Sequence, residues 1–222
     1  MTAMTLRQKR IIWYLVWLLI ILSGPFTVLN NTDLTQATSN DILLVSLFQR
    51  LTGVTAFTLL FIQITLGAYM YRWVQILGAK AYWVHVTEGL FAYAFVLIHP
   101  LMQTYLDFSV RGVLGAVLSF LPGLNIYLTL GKIGFLLLTV GVVAGYFRTK
   151  PFFRRNWRTF HILNYIAFFF VAIHSLNLGT DVSSFPFVIV HKGAILGVTI
   201  YVINKIYPLL TKKIGSAKII TE

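Results

Sequence analysis

Apolar residues in this chain do not alternate with polar ones at the period of a strand or a surface helix. They run together in blocks, separated by short polar and charged connections. Six blocks are long enough to cross a bilayer: residues 11–29, 47–69, 84–101, 126–146, 160–178 and 187–207. About 20 apolar residues in a helix match a hydrocarbon core of about 30 Å, and a helix satisfies its own backbone hydrogen bonds there. The pattern predicts an all-α membrane protein with six transmembrane helices, in a single domain over residues 1–222. The first block follows Arg7, Lys9 and Arg10, as a signal peptide would. Its apolar core is too long for one and no small-residue cleavage site follows cleanly, so it predicts a retained helix. Within the connection 102–125, the apolar stretch 110–121 predicts a short helix lying on the membrane surface.

Charge gives the blocks a direction. Thirteen positive residues fall in connections on one side: Arg7, Lys9 and Arg10; Arg72 and Lys80; Arg148, Lys150, Arg154, Arg155 and Arg158; and Lys212, Lys213 and Lys218. All four aspartates, Asp33, Asp41, Asp107 and Asp181, fall on the other. Positive residues favour the cytoplasmic side, so both termini are expected in the cytoplasm and the chain in the cytoplasmic membrane. The net charge of +12 is thereby a topology signal, and no nucleic-acid partner is expected. Trp73, Tyr82, Trp83 and Trp157 sit where spans meet headgroups, as interfacial anchors do.

Composition then narrows the chemistry. With 58% hydrophobic and 11% charged residues, and a mean hydropathy of +0.80, a water-soluble globular protein is excluded. There is no cysteine. Disulfides, thiolate-held iron–sulfur clusters and covalently attached c-type haem all need thiols and are excluded too. Histidine remains as the main residue able to hold a metal or cofactor.

Four of the five histidines form a pattern. His85 and His99 lie 14 residues apart at opposite ends of the third block, and His161 and His174 lie 13 apart in the fifth. Both blocks run in the same direction, so His85 shares a depth with His161, and His99 with His174. At about 1.5 Å per residue the two levels are roughly 20 Å apart. Ionisable residues inside a membrane are costly and mark function. Two facing imidazoles suit a six-coordinate b-type haem, and two stacked haems would make an electron path through the bilayer. Zinc or copper would want three or four ligands converging on one point. The geometry carries one tension: 14 steps of 100° return to nearly the same helix face, whereas 13 do not. The fifth block therefore needs a distortion, or its ligands must approach from different sides. Pro100 could likewise kink the third block beside His99.

At these residues the chain resembles the ferric reductase-like transmembrane domain. That family includes NADPH oxidases, metalloreductases and the haem membrane subunit of methionine sulfoxide reductase systems. The resemblance covers about residues 47–178. It rests on Arg50-Leu-Thr-Gly53, on Val96-Leu-Ile-His-Pro100 with its His85 partner, and on Arg154-Arg-Asn-Trp-Arg-Thr-Phe-His161 with His174. It implies that His85 and His161 hold an inner haem iron and His99 and His174 an outer one, in a di-haem helix bundle. It also implies electron transport outward from a cytoplasmic-side donor, so the chain would be the cytochrome b component of an oxidoreductase. The larger family members continue into a flavin- and nicotinamide-binding domain, for which this sequence has neither the room nor a Gly-rich phosphate turn after a strand. A separate donor is therefore expected: a cytoplasmic flavoprotein, a bound flavin (FMN or FAD), or a quinol. Expected acceptors are a ferric complex, oxygen or a periplasmic redox protein.

Other residues carry two readings each. Arg50 suits a haem propionate, which a guanidinium can grip bidentately, or a simple interfacial anchor. Arg154, Arg155 and Arg158 suit inner propionates, docking of an acidic donor, or topology alone. Glu88 could bond a ligand or donor, or pair with Lys80. Gly89 could admit a flat macrocycle or a neighbouring helix. His191 could line an acceptor or quinone site over the outer haem, or bond at the interface. Two rival functions stand beside the di-haem reading. One is a quinol-linked cytochrome b, or a haem subunit feeding a periplasmic reductase. The other is a haem-free transporter or channel subunit, which would need broken helices and polar residues at mid-membrane. The mid-span residues here are nearly all apolar.

Overall fold

A computed structural model describes residues 4–218, with side chains described as far as Lys205. Lys212 and Lys213, two of the residues counted for topology, thus have side chains outside the described residues, as does Lys218. Among the described residues every element is helical: α1 (Leu6–Asn30), α2 (Leu34–Ala37), α3 (Asp41–Ala68), α4 (Met70–Leu77), α5 (Lys80–Leu118), α6 (Ile126–Tyr146), α7 (Pro151–Leu178) and α8 (Phe187–Lys218). Six of these, α1, α3, α5, α6, α7 and the Phe187–Lys205 part of α8, are long and apolar enough to cross a membrane. The chain is built as a multi-pass membrane protein.

The ends of the helices follow local chemistry. Thr5 and Gln8 close a reciprocal capping box at the start of α1. Asn40 and Asn125 accept the free amides that open α3 and α6. Pro151 starts α7, where its missing amide costs nothing and its fixed φ suits a first turn. That places the start of α7 nine residues before the expected 160. Arg154, Arg155 and Arg158 consequently ride on its first turns, and the connection shrinks to residues 147–150. In α5 the dihedral break lies at Gly112 (φ 61°, ψ −150°), a region that glycine alone visits cheaply. The backbone stays helical through Pro100. α5 thus extends about ten residues past the expected end at 101, and only residues 113–118 form the separate surface turn. The small amphipathic α4, not foreseen in the sequence, ends at Gly78 (φ 67°).

α3 is the central helix. Of its apolar span 56% is buried, against 17–22% for the other five. Phe57, Leu60 and Ile64 of α3 meet Phe168 and Ala172 of α7 and Phe187, Ala194 and Val198 of α8 in one core. Outward-facing residues such as Leu19, Phe91, Leu136 and Leu196 are exposed, as lipid contact requires. Two tight helix pairs dominate the packing, α3 with α5 and α6 with α7. Small residues allow this closeness: Gly134 and Gly141 of α6 face Val171 and Asn164 of α7. α5 and α7, which carry the four histidines, stand apart from each other across the gap between the two pairs.

Candidate functional site: two histidine pairs in the helix bundle

The bundle has a basic end, with Arg72 on α4, Lys80 opening α5 and Arg148 and Lys150 between α6 and α7, and an acidic end, with Asp33, Asp41 and Asp181. At the basic end the rings of His85 (α5) and His161 (α7) lie 6.4 Å apart between centres, with planes at 79°. At the acidic end His99 (α5) and His174 (α7) lie 6.3 Å apart, at 84°. An imidazole nitrogen binds a metal at about 2.0–2.1 Å; adding the ~1.1 Å from that nitrogen to its ring centre, twice over, gives about 6.3 Å for two rings on opposite sides of one metal. Both pairs meet that separation. α7 is unbroken between its histidines, so their side chains leave it about 140° apart. The rings therefore approach their partners from different flanks of the helix.

The ring nitrogens that face away from the gap are engaged. His99 Nδ1 lies 3.0 Å from the Gln49 carbonyl and His174 Nδ1 3.0 Å from the Tyr127 carbonyl. A carbonyl only accepts, so each Nδ1 carries the proton and donates it. Nε2 is then the bare nitrogen, the one that can hold a metal. His161 Nδ1 is 3.4 Å from the Gly141 carbonyl and 3.3 Å from the Asn164 amide. His85 Nδ1 is 2.8 Å from the amide end of Gln63.

Glycines on the flanking helices make room for all four rings. A Cβ added at Gly53 would meet His99 at 2.9 Å, and one at Gly131 would meet His174 at 2.6 Å. At Gly67 and Gly145 it would meet His85 and His161, each at 3.4 Å. Gly53 and Gly67 are 14 residues apart on α3, and Gly131 and Gly145 are 14 apart on α6. Sequence reasoning named Gly53 only within the Arg50–Gly53 motif and missed the other three, although the repeated spacing of 14 on the two flanking helices was there to be found.

A cavity of about 780 Å³ lies between the two helix pairs. It reaches from Arg148, Trp157 and Arg158 at the basic end, past His85 and His161, to Val96 and Leu138 at mid-bundle. That volume lies in the range of cofactor sites, and its lining is mostly apolar. Among the described residues no group of three or more His, Asp or Glu converges on one point, so the donors come only as pairs. His85 and His161, at the separation for one metal and beside a roomy apolar gap, fit an iron porphyrin better than a bare ion, and His99 and His174 share that separation with bare Nε2 atoms.

The other singled-out residues are placed differently from one another. Arg158 lines the cavity with its guanidinium 5.3 Å above the Trp157 ring, and Arg148, not previously singled out, lines it too. Arg154 and Arg155 are exposed and do not line it. Arg50 is committed elsewhere. Its Nε and Nη2 donate to Asp181 at 2.8 and 2.7 Å, and its Nη1 donates to Thr32 at 3.0 Å. Together these make a bidentate tie from α3 to the loop before α8, with Asn31 also donating to Asp181. Burial raises the Asp181 carboxyl, but its hydrogen bonds from Arg50 and Asn31 outweigh this and hold it below the usual carboxylate range.

His191 lies inside the bundle. It is fully buried, stacked 4.4 Å from the Phe57 ring, with its Nε2 2.7 Å from Ser175 Oγ. It packs between α3, α7 and α8. Glu88 is buried and accepts from the Trp17 indole at 3.1 Å, in place of an ion pair with Lys80. Gly89 lines the cavity and also leaves room for the Gln63 amide, 3.1 Å from where its Cβ would be.

Fold and site together define a membrane helix bundle that holds two intramembrane histidine pairs, one toward each end. No protein-family model, curated protein or solved structure matches this chain.

Proposed function

We propose that the chain is a di-haem b-type cytochrome that carries electrons across the cytoplasmic membrane. The observation that carries this reading is the twofold occurrence of facing imidazoles, 6.3 and 6.4 Å apart, on the same two helices. His85 and His161 would hold the haem at the basic end, and His99 and His174 the haem at the acidic end. Each iron, when bound, supplies one-electron exchange, and acid–base chemistry is not required of any side chain. The protein fixes the two levels, orients each ring through its Nδ1 partner, and surrounds the gap with apolar side chains that exclude water. Arg148 and Arg158 stand where they can neutralise propionates at the basic end.

The basic end faces the cytoplasm on this reading, since positive connections are retained there. A separate flavoprotein, a bound flavin or a quinol would donate at that end. A ferric complex, oxygen or a periplasmic redox protein would accept at the other. The resemblance to ferric reductase-like membrane domains supports the same assignment. The test is chemical. Purified from haem-replete cells, the chain should be red and carry two haems, both low-spin and bis-imidazole. His99→Ala and His174→Ala should remove the same haem, and His85→Ala and His161→Ala the other. A colourless chain, or a spectrum common to His85→Ala and His174→Ala, would overturn the reading.

A further inference from the structure

The cavity between the two helix pairs is walled unevenly. Toward α3 and α7 its lining is closed: Leu60 and Ile64 are buried, and Phe57 of α3 stacks on Phe168 of α7 at 5.4 Å. Toward α5 and α6 it is not. Val86 and Leu90 of α5 and Tyr146 of α6 line the cavity and are 44%, 47% and 64% exposed. α5 and α6 pack only sparsely on each other. Among the described residues, one side-chain hydrogen bond joins their spans, from the Tyr93 hydroxyl to Thr139 Oγ1 at 3.2 Å. Thr139 in turn donates to the Phe135 carbonyl at 2.8 Å. At this depth the seam faces hydrocarbon, so the apolar slot beside His85 and His161 opens sideways into the bilayer.

The acidic end is fastened instead. Lys132 of α6 donates to the Leu118 and Leu121 carbonyls, Ser119 bonds Thr104 at 2.9 Å, and Thr129 bonds both the amide and the carbonyl of Gly123 at 3.2 Å. These contacts bind the connection between α5 and α6 to both helices, beyond His99 and His174.

We infer that the α5–α6 seam is a lateral doorway through which the basic-end haem passes between the bilayer and its histidines, latched by Tyr93 and Thr139. The inference rests on the proposed function. A porphyrin is a flat apolar plate with two carboxylates on one edge, so it partitions into a bilayer with that edge toward the headgroups. The seam offers such a plate apolar side chains along its body, with Arg148 and Arg158 at the cytoplasmic edge for its carboxylates. Passage needs no helix to unfold, only the parting of a sparse contact and one hydrogen bond. At the acidic end the same passage is bridged by the fastened connection, so the haem there leaves more slowly.

Transfer of haem from the full chain, in lipid nanodiscs, to excess apomyoglobin in water tests this. Release should run in two phases, with His99→Ala keeping only the fast one and His85→Ala only the slow one. Tyr93→Phe removes the latch and should speed the fast phase roughly two- to tenfold, about the worth of one hydrogen bond, with the slow phase unchanged. The chain has no cysteine, so Leu90→Cys with Val142→Cys places the only two thiols on either side of the seam. Joining them with a reducible bifunctional thiol reagent should slow the fast phase toward the rate of the slow one, and cleaving the link should restore it. A merely structural defect would speed release and would not be reversed by cleavage. Release in a single phase, a fast phase that either variant leaves unchanged, or an equal change in both phases would overturn the doorway while leaving two haems per chain. Failure of the proposed function would instead show as a wild-type chain without two haems.

Discussion

The two ends of the bundle hold the same pair of side chains in different ways. At the acidic end His99 and His174 are fixed by backbone carbonyls at 3.0 Å, and by glycines so close that a Cβ would overlap the rings. At the basic end His85 and His161 touch side-chain amides, their glycines leave ordinary contact distance, and the large cavity opens beside them. The first arrangement is rigid, and substitution can reach it only through the glycines. The second is adjustable. Two sites with identical ligands can therefore differ in affinity and potential through what stands behind the ligands.

Substitutions at the glycines should break the comparison most sharply. Gly131→Ala and Gly53→Ala push a methyl into His174 and His99, and each should cost the chain most of its acidic-end haem. Gly67→Ala and Gly145→Ala add only a normal contact, so two haems should remain. Haem per chain and the spectrum of the surviving haem read both outcomes. Equal losses from all four would mean that the two ends are held alike.

The acidic end also carries the clamp of Arg50, Asp181, Thr32 and Asn31. Arg50→Ala leaves Asp181, only 2% exposed, without its charged partner. Stability should fall by about 2–4 kcal/mol, read as a lower midpoint of thermal unfolding in detergent. The haem spectrum of the folded fraction should not change, because the clamp does not touch the histidines. The Asp181 carboxyl is held below its unfolded value of about 3.9. Its contribution is therefore fully present above pH ~4 and is lost as pH falls through the lower folded value. Asp181→Asn should flatten that acid dependence of the unfolding midpoint. At the basic end, Arg148→Gln and Arg158→Gln should lower the potential of the near haem modestly, since each removes a positive charge beside it. Arg154→Gln and Arg155→Gln, at positions that do not line the cavity, should leave it unchanged.

The spans and the four histidine positions were legible because length, hydropathy and spacing are one-dimensional quantities. The partner of Arg50 was not, since Asp181 lies 131 residues away and only the fold brings them together. The burial of His191 was not legible, for a physical reason. In a membrane both the lipid-facing and the core-facing sides of a helix are apolar, so hydropathy cannot tell a buried α8 residue from a surface one. The early start of α7 was hidden by its arginines, which suggested a connection although Pro151 marks a first turn. The glycines at matched spacing were visible but mute, because glycine also serves ordinary helix contacts. Only the coordinates show that these four face imidazoles.

The central claim is that two imidazole pairs each bind one haem. Pyridine haemochrome analysis of the purified chain, set against protein concentration from amino-acid analysis, tests it most directly. The account predicts two non-covalent b-type haems per chain, falling to one in His99→Ala. A colourless chain, or a single haem that persists in His99→Ala and disappears in His85→Ala, would contradict it.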